Sequence, residues 1–200
     1  MPKDLAPWQV VDSRISYEDP WLRIRTDTCK TAQGHIIESY HVLEALPWVN
    51  VIALTTEGKI VLVREYRHGA RQILLGLPGG AVEPSDRDPL AAIQRELREE
   101  TGYSGGEFFQ VGQSYANPAN QGNIVYAFLA LGVTQTREQE LDENEYIEIV
   151  HQDFNAFRRK AWSGEIALQS LYLATLGLTE HFIQNSNHPS LRAIRDTLLS

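Results

Sequence analysis

The stretch Arg95-Glu96-Leu97-Arg98-Glu99-Glu100-Thr101-Gly102-Tyr103 sets three glutamates where a helix accommodates them worst. At about 100° per residue, Glu96, Glu99 and Glu100 fall within an arc of roughly 100° on one side of a helix. That arc borders the apolar stripe of Leu90, Ile93 and Leu97, so the carboxylates lie at the edge of the buried face. Each like-charge pair at i,i+3 or i,i+4 costs about 0.2–0.5 kcal/mol. The negative end of the helix dipole adds about 0.3–1 kcal/mol per anion in the last turn. The helix is bounded by Asp88 as N-cap, Pro89 at its first position and Gly102 at the left-handed C-terminal position. Taken alone, three glutamates read as a solvated acidic face. Their surroundings favour a hard divalent cation, which takes oxygen ligands and inverts the local electrostatics. The glycines Gly79 and Gly80 precede the helix, where bare backbone can approach a metal or a phosphate, and Arg64 and Arg67 end the strand before them.

Outward from the helix the pattern is β-rich. On the N-terminal side, Val49–Leu54 and Ile60–Val63 flank Thr55-Thr56-Glu57-Gly58-Lys59 as a hairpin, followed by a glycine-rich loop from Gly76 to Gly80. Before Pro47, the runs Gln9–Val11, Leu22–Asp27 and Ile36–Val42 read as short strands that need a partner, either the main sheet or a second copy of themselves. After the helix come strands at Phe108–Val111, Ile124–Ala130 and Tyr146–Val150, then helices over Asp153–Trp162, Ile166–Gln184 and Pro189–Leu199. Trp162, Leu171, Leu173 and Leu176 have helical spacing and are assigned to the core, and Cys29 reads as a small, at least half-buried apolar residue. Strands first and helices around them predict a mixed sheet covered by helices, with residues 1–46 as an N-terminal β region and 47–200 as the main domain.

Composition restricts the function classes. The 200 residues are 42% hydrophobic and 22% charged, enough apolar material for a core, with mean hydropathy −0.30. Eighteen basic against 26 acidic residues give a net charge of −8, which argues against sequence-independent nucleic-acid binding. A divalent cation would still let an acidic site hold a phosphate-bearing small ligand. One cysteine excludes an intramolecular disulfide and a cysteine-rich zinc site, and the six histidines show no metal-ligand spacing. No secretory or membrane-spanning apolar run is present, so a cytoplasmic location and no membrane partner are expected.

The residues Gly80-Ala81-Val82-Glu83-Pro84-Ser85-Asp86, followed by Arg95–Tyr103, resemble the Nudix box, G-x5-E-x7-R-E-U-x-E-E-x-G-U with U apolar. Asp86 stands where that pattern has Glu, and eight residues (87–94) separate it from Arg95 instead of seven. The extra loop residue leaves the helix register intact and bears on the contact between the first acidic residue and Arg95. The resemblance implies an α/β/α sandwich in which Mg²⁺, or Mn²⁺, is held between a substrate diphosphate and the helix carboxylates. It implies Glu96, Glu99 and Glu100 as metal ligands, with the Gly79 carbonyl as a backbone ligand, and hydrolysis of a nucleoside diphosphate linked to another group.

Features outside the box are similar to the branch of that family that cleaves ADP-ribose and nucleoside diphosphate sugars. Val61-Leu62-Val63-Arg64-Glu65-Tyr66-Arg67 resembles its strand before the box, with Arg67, and beside it Arg64, as phosphate contacts. Pro118 lies 118 − 102 = 16 residues beyond the box glycine, although Asn117-Pro118-Ala119 departs from the usual Ser-Pro-Gly. At Gly76 that branch commonly has a Glu. The β-rich start matches an extra sheet through which such enzymes form homodimers. The acidic loop Asp142-Glu143-Asn144-Glu145 matches the place of a general base, with Glu143 and Glu145 both open as candidates and Glu99 as a further catalytic carboxylate. Trp48 and Tyr66 are either base-stacking or core aromatics. Two competing readings are a dinucleoside polyphosphate or damaged-nucleotide hydrolase and a non-catalytic ligand sensor. The latter predicts a lost box glutamate or an attached DNA-binding segment; the helix glutamates Glu96, Glu99 and Glu100 are all present, and the net charge of −8 offers no DNA-facing surface.

Overall fold

Alternation along Val49–Leu54 sends Val49, Val51 and Ala53 to one side of a strand and Asn50, Ile52 and Leu54 to the other, and all six are buried. A strand buried on both faces belongs inside a sheet covered on both sides. The computed structural model describes residues 5–198 and bears this out. Its strands and helices in chain order are β1 (Gln9–Glu18), β2 (Arg23–Lys30), β3 (Ile36–Glu44), β4 (Trp48–Thr55), β5 (Lys59–Arg67), β6 (Gln72–Gly76), β7 (Gly79–Ala81) and α1 (Pro89–Thr101). They continue with β8 (Tyr103–Ser104), β9 (Glu107–Tyr115), β10 (Ile124–Gln135), β11 (Ile147–Asp153), α2 (Phe154–Ser163), α3 (Ser170–Asn185) and α4 (Pro189–Leu198). The chain divides into two compact units. One runs to Leu46 and includes Tyr115–Ile124; the other holds Pro47–Ser114 and the chain from Val125 onward.

In the first unit β1, β2 and β3 form an antiparallel sheet in that order. β1 is longer than the three residues expected. Ser13 donates to buried Asp27 at 2.6 Å and Ser16 pairs with Thr26 at 2.7 Å, so the strand continues across both serines. Arg25 donates to both Asp27 oxygens, and those hydrogen bonds hold the Asp27 carboxyl below its ordinary range. The segment Tyr115–Ile124 is tied on through the Leu43 amide to the Asn120 carbonyl at 2.8 Å and through the Tyr40 hydroxyl to the Ala119 carbonyl. Val10, Val11, Ile15 and Tyr17 of β1 are exposed.

The second unit is an α/β/α sandwich. Its sheet runs β11-β5-β4-β10-β8, with β4 and β10 parallel and β11–β5, β4–β5 and β8–β10 antiparallel. Val49, Val51, Ala53, Val61, Phe128 and Ala130 pack with Ile93 and Leu97 of α1 on one face. Ile52, Leu54, Leu62 and Leu129 pack with Phe154, Phe157, Leu176, Ile183 and Leu191 of α2, α3 and α4 on the other. β4 and β5 pair only at Ala53–Val61 and Leu54–Ile60 and then diverge. β6 pairs with β5 and β7 with β4, so what reads in sequence as a glycine loop is two strand segments filling the wedge.

Three expectations are corrected. α3 begins at Ser170, not Ile166, because the Glu165 and Ile166 amides turn back to the Lys160 carbonyl to close α2. Tyr146 precedes β11 and is exposed. Trp162 is 52% exposed, its indole N–H donating to Glu180 at 2.9 Å at the rim of α2 instead of entering the core. The last residue expected in α4, Leu199, lies outside the described residues. Among those described, no helix is long and apolar enough to cross a membrane.

Candidate active site

α1 starts and stops where its sequence dictates. Asp88 accepts the Ala91 amide at 2.8 Å, and Gly102 takes φ 72°, returning its N–H to the Arg98 carbonyl at 2.8 Å. The frame fixed by these caps turns Glu96 and Glu100 inward beside β7. The Gly79 amide donates to Glu100 Oε2 at 2.9 Å. A β-carbon on Gly80 would stand 2.3 Å from Glu96 Oε1, so only glycine leaves room for that carboxylate.

Arg95 organises the polar side of the helix. It grips Asp86 with two bonds, Nε to Oδ1 at 3.1 Å and Nη2 to Oδ2 at 3.0 Å, and also donates to the Ala81 carbonyl. Its Nη1 reaches Glu96 at 2.9 Å and Glu99 at 3.0 Å. The added loop residue therefore does not break the arginine contact. It is taken up in a turn in which the Asp86 amide donates to the Glu83 carbonyl and the Glu83 amide to Asp86 Oδ2. The Arg95 hydrogen bonds pull the Asp86 carboxyl below its ordinary range.

The two inward carboxylates are short of positive charge. Burial raises the Glu96 carboxyl to about 7; Arg95 opposes the rise, and Glu99 and Glu145 add to it. Glu100 is pushed well above the ordinary carboxyl range by burial, opposed by the Gly79 amide and reinforced by Glu96, Glu65 and Glu145. Glu65 is raised too, first by burial, with Arg67 opposing and Glu145 reinforcing. Glu65, Glu96, Glu100 and Glu145 thus form one mutually repelling group. Glu143 and Glu145 are both exposed in their turn, and it is Glu145 whose charge raises all three of the other carboxyls.

Glu145 comes near because its loop is laced to the end of α1. Gln139 Nε2 donates to the Glu100 carbonyl at 2.6 Å and to the Ile147 carbonyl at 3.2 Å, and the Glu140 amide donates to the Glu99 carbonyl at 2.9 Å. These bonds satisfy carbonyls that a helix end leaves free. Arg67 is paired with Glu65 at 2.5 Å, and Arg64 with Glu148 at 2.5 Å across the β5–β11 register. Arg64, Glu65, Tyr66, Ile73 and Glu145 line a cavity of about 800 Å³, of a size that takes a nucleotide-sized ligand. Trp48 is half-buried at the start of β4, opposite Ala81 of β7; Pro118 belongs to the other unit.

The chemistry of the donors fits a hard divalent cation, since both inward carboxyls have raised proton affinity, Glu100 lacks a cationic partner and Glu96 shares Arg95 with Asp86 and Glu99. As the side chains stand, Glu99 is turned to Arg95. Among the described residues no three His, Cys, Asp or Glu side chains are gathered closely enough to hold an ion without rearrangement. Sequence reasoning missed Glu65, Asn50 and Tyr172 as parts of this region. Asn50 carried a signal, a lone amide inside an apolar run, and it accepts the buried Thr175 hydroxyl at 2.5 Å. Tyr172 carried none, lying within a helical apolar stripe.

Residues 46–168 match the NUDIX domain, and residues 8–43 match the nucleoside diphosphate sugar hydrolase N-terminal domain. The chain is similar to an ADP-ribose pyrophosphatase of Bacillus subtilis (strain 168), at 35% identity over 51% of this chain and 55% of that protein. A methanol dehydrogenase activator of Bacillus methanolicus is 32% identical over the same shares. An ADP-ribose pyrophosphatase of Mycobacterium tuberculosis is 25% identical over 69% of this chain and 66% of its own. The chain thus spans about half the length of the first two curated relatives. A solved structure described as an ADP compounds hydrolase superposes with a TM-score of 0.79 over 92% of this chain and 98% of its own, at 17% identity, a likeness of fold. With well over half its residues matched to that domain, the chain belongs to the NUDIX family.

Proposed function

We infer that the protein hydrolyses the pyrophosphate bond of a nucleoside diphosphate sugar, of ADP-ribose or NDP-hexose type, in the presence of Mg²⁺ or Mn²⁺. The observation that carries this reading is the pair Glu96 and Glu100, turned inward beside Glu65 and Glu145, where Arg95 offsets only part of the charge on Glu96 and Glu100 has no cationic partner. The matches to a nucleoside diphosphate sugar hydrolase N-terminal domain and to ADP-ribose pyrophosphatases support the substrate class.

Glu96 and Glu100, with Glu99 once released from Arg95 and the Gly79 carbonyl, would hold the divalent ion. When bound, it supplies Lewis-acid polarisation of the phosphoryl oxygens and lowers the proton affinity of a coordinated water. Arg67 meets the diphosphate, Arg64 borders it, and Trp48 contacts the rest of the nucleotide. Glu145 accepts the proton of the attacking water, a role its place beside the carboxylate group supports better than it supports Glu143. A new P–O bond forms as the anhydride P–O–P bond breaks, giving a nucleoside monophosphate and a sugar phosphate. A second copy of the chain is the expected partner, since β1 offers Val10, Val11, Ile15 and Tyr17 uncovered.

A hydrolysis panel of ADP-ribose, GDP-mannose, UDP-glucose and diadenosine polyphosphates with Mg²⁺ tests this. The highest kcat/KM is expected on a nucleotide sugar, with turnover abolished by excess EDTA. A preference for dinucleoside polyphosphates, or full turnover in EDTA, contradicts it.

A further inference from the structure

α3 covers one face of the sheet, yet its buried side carries the hydroxyls of Tyr172, Thr175 and Thr179. The Thr175 hydroxyl is accounted for by Asn50. The Tyr172 hydroxyl is not: the residue is 4% exposed, and its oxygen is closed off from solvent without a well-formed hydrogen bond. Leaving such a group unpaired costs about 1–3 kcal/mol, so its retention asks for a reason.

The ring lies against Gly76. A β-carbon there would stand 2.8 Å from Tyr172 Cε2 and 3.4 Å from the hydroxyl oxygen, so any side chain at 76 would evict the ring. Gly76 is paired with Val63, and alternation along β5 puts Val61, Val63, Glu65 and Arg67 on one face, the face on which Val61 packs beneath α1. Tyr172 comes from the opposite layer. Its ring crosses the wedge at Gly76 and brings the hydroxyl to the side of the carboxylates. The charges acting on the phenol there are Arg67, Glu100 and Glu65.

Because the oxygen is closed to solvent, it touches no ligand itself and acts through a neighbour. Of the three charged groups only the guanidinium can donate to it. Arg67 acts on the phenol by charge and as a hydrogen-bonding group, and its side chain is 40% exposed, so it can meet the hydroxyl and still face solvent. We propose that Tyr172 is a positioning residue: threaded past Gly76, its hydroxyl accepts an N–H of Arg67 and, with Glu65 on the other side, fixes that guanidinium where it meets a phosphate. This rests on the reading of Arg67 as the phosphate contact.

Tyr172→Phe deletes the oxygen and keeps the ring. Losing one aimed contact to a charged group is expected to raise KM for ADP-ribose about five- to tenfold with kcat within about twofold, and to weaken calorimetric binding of ADP without metal by the same factor. The melting temperature of the ligand-free protein should stay equal or rise, since the bond from Arg67 is not well formed until a phosphate draws the guanidinium into place. A purely structural role would lower it. In an Arg67→Ala background, Tyr172→Phe should change ADP binding no further. The proposal is overturned if Tyr172→Phe leaves KM and ADP affinity within about twofold of wild type, or if it weakens ADP binding equally in both backgrounds. Wild-type protein that binds ADP but hydrolyses no nucleotide sugar refutes the functional reading alone, and the ADP titrations still decide Tyr172. Failure of the wild type to bind ADP or inorganic pyrophosphate refutes both.

Discussion

Glu100 is a carboxylate that the fold buries and then supplies with a single donor, the Gly79 amide. Its proton affinity rises accordingly. Glu100→Gln keeps the shape and that hydrogen bond but removes the charge. It is expected to lower kcat by about 10²–10³-fold, the range for losing one electrostatic contact to developing charge, while the metal-free variant unfolds at the same temperature as wild type or higher. A variant within tenfold of the wild-type rate would remove Glu100 from the metal set. The spacing of Glu96, Glu99 and Glu100 was legible because a helix has one period, and its caps are local residues. Tyr172 was not, because its reach past Gly76 depends on where β6 ends and α3 lies. Nor did the sequence separate Glu145 from Glu143, since the lacing of their loop through Gln139 joins residues from α1 and β11.

At the scale of elements, the central strands could be read because β4 and β5 announce two buried faces by their composition alone. The wedge between them could not. The residues from Gly76 to Gly80 have turn composition, and only their pairing with β4 and β5 makes them strand. The start of α3 was misplaced for a related reason: Ile166 and Leu168 fit an apolar helical pattern but serve as an extended segment packed on the core. β1 is an edge strand with uncovered apolar side chains, an arrangement that invites pairing with another chain. Val10→Lys combined with Val11→Lys is expected to convert a dimer to a monomer by light scattering, with the circular dichroism unchanged. A wild-type chain that is monomeric at micromolar concentration, or a dimeric double variant, contradicts the role given to this edge.

For the molecule as a whole, the carboxylate cluster couples stability to pH and to cations. Glu96 has a folded value of about 7 against an ordinary 4.5, so its protonated form favours folding below 4.5 and that contribution is lost as pH rises through about 7. The slope approaches about 1.4 kcal/mol per pH unit for each proton retained only by the folded state. Asp27 and Asp86, held down by Arg25 and Arg95, work in the opposite sense and lose their contribution only as pH falls below the ordinary 3.8. Between pH 5 and 7 the glutamates therefore dominate. Calorimetry of metal-free protein should show a melting temperature that falls across this window, and millimolar Mg²⁺ should restore most of the loss at pH 7.5. A melting temperature that climbs with pH, or ignores Mg²⁺, contradicts the coupling.

Gln139 clasps two carbonyls at once, one on α1 and one on β11. The span carrying Glu145 is therefore slung like a hammock between two fixed posts. Lengthening or shortening the rope between them is expected to move Glu145, and with it the base role proposed for it, while the posts stay put.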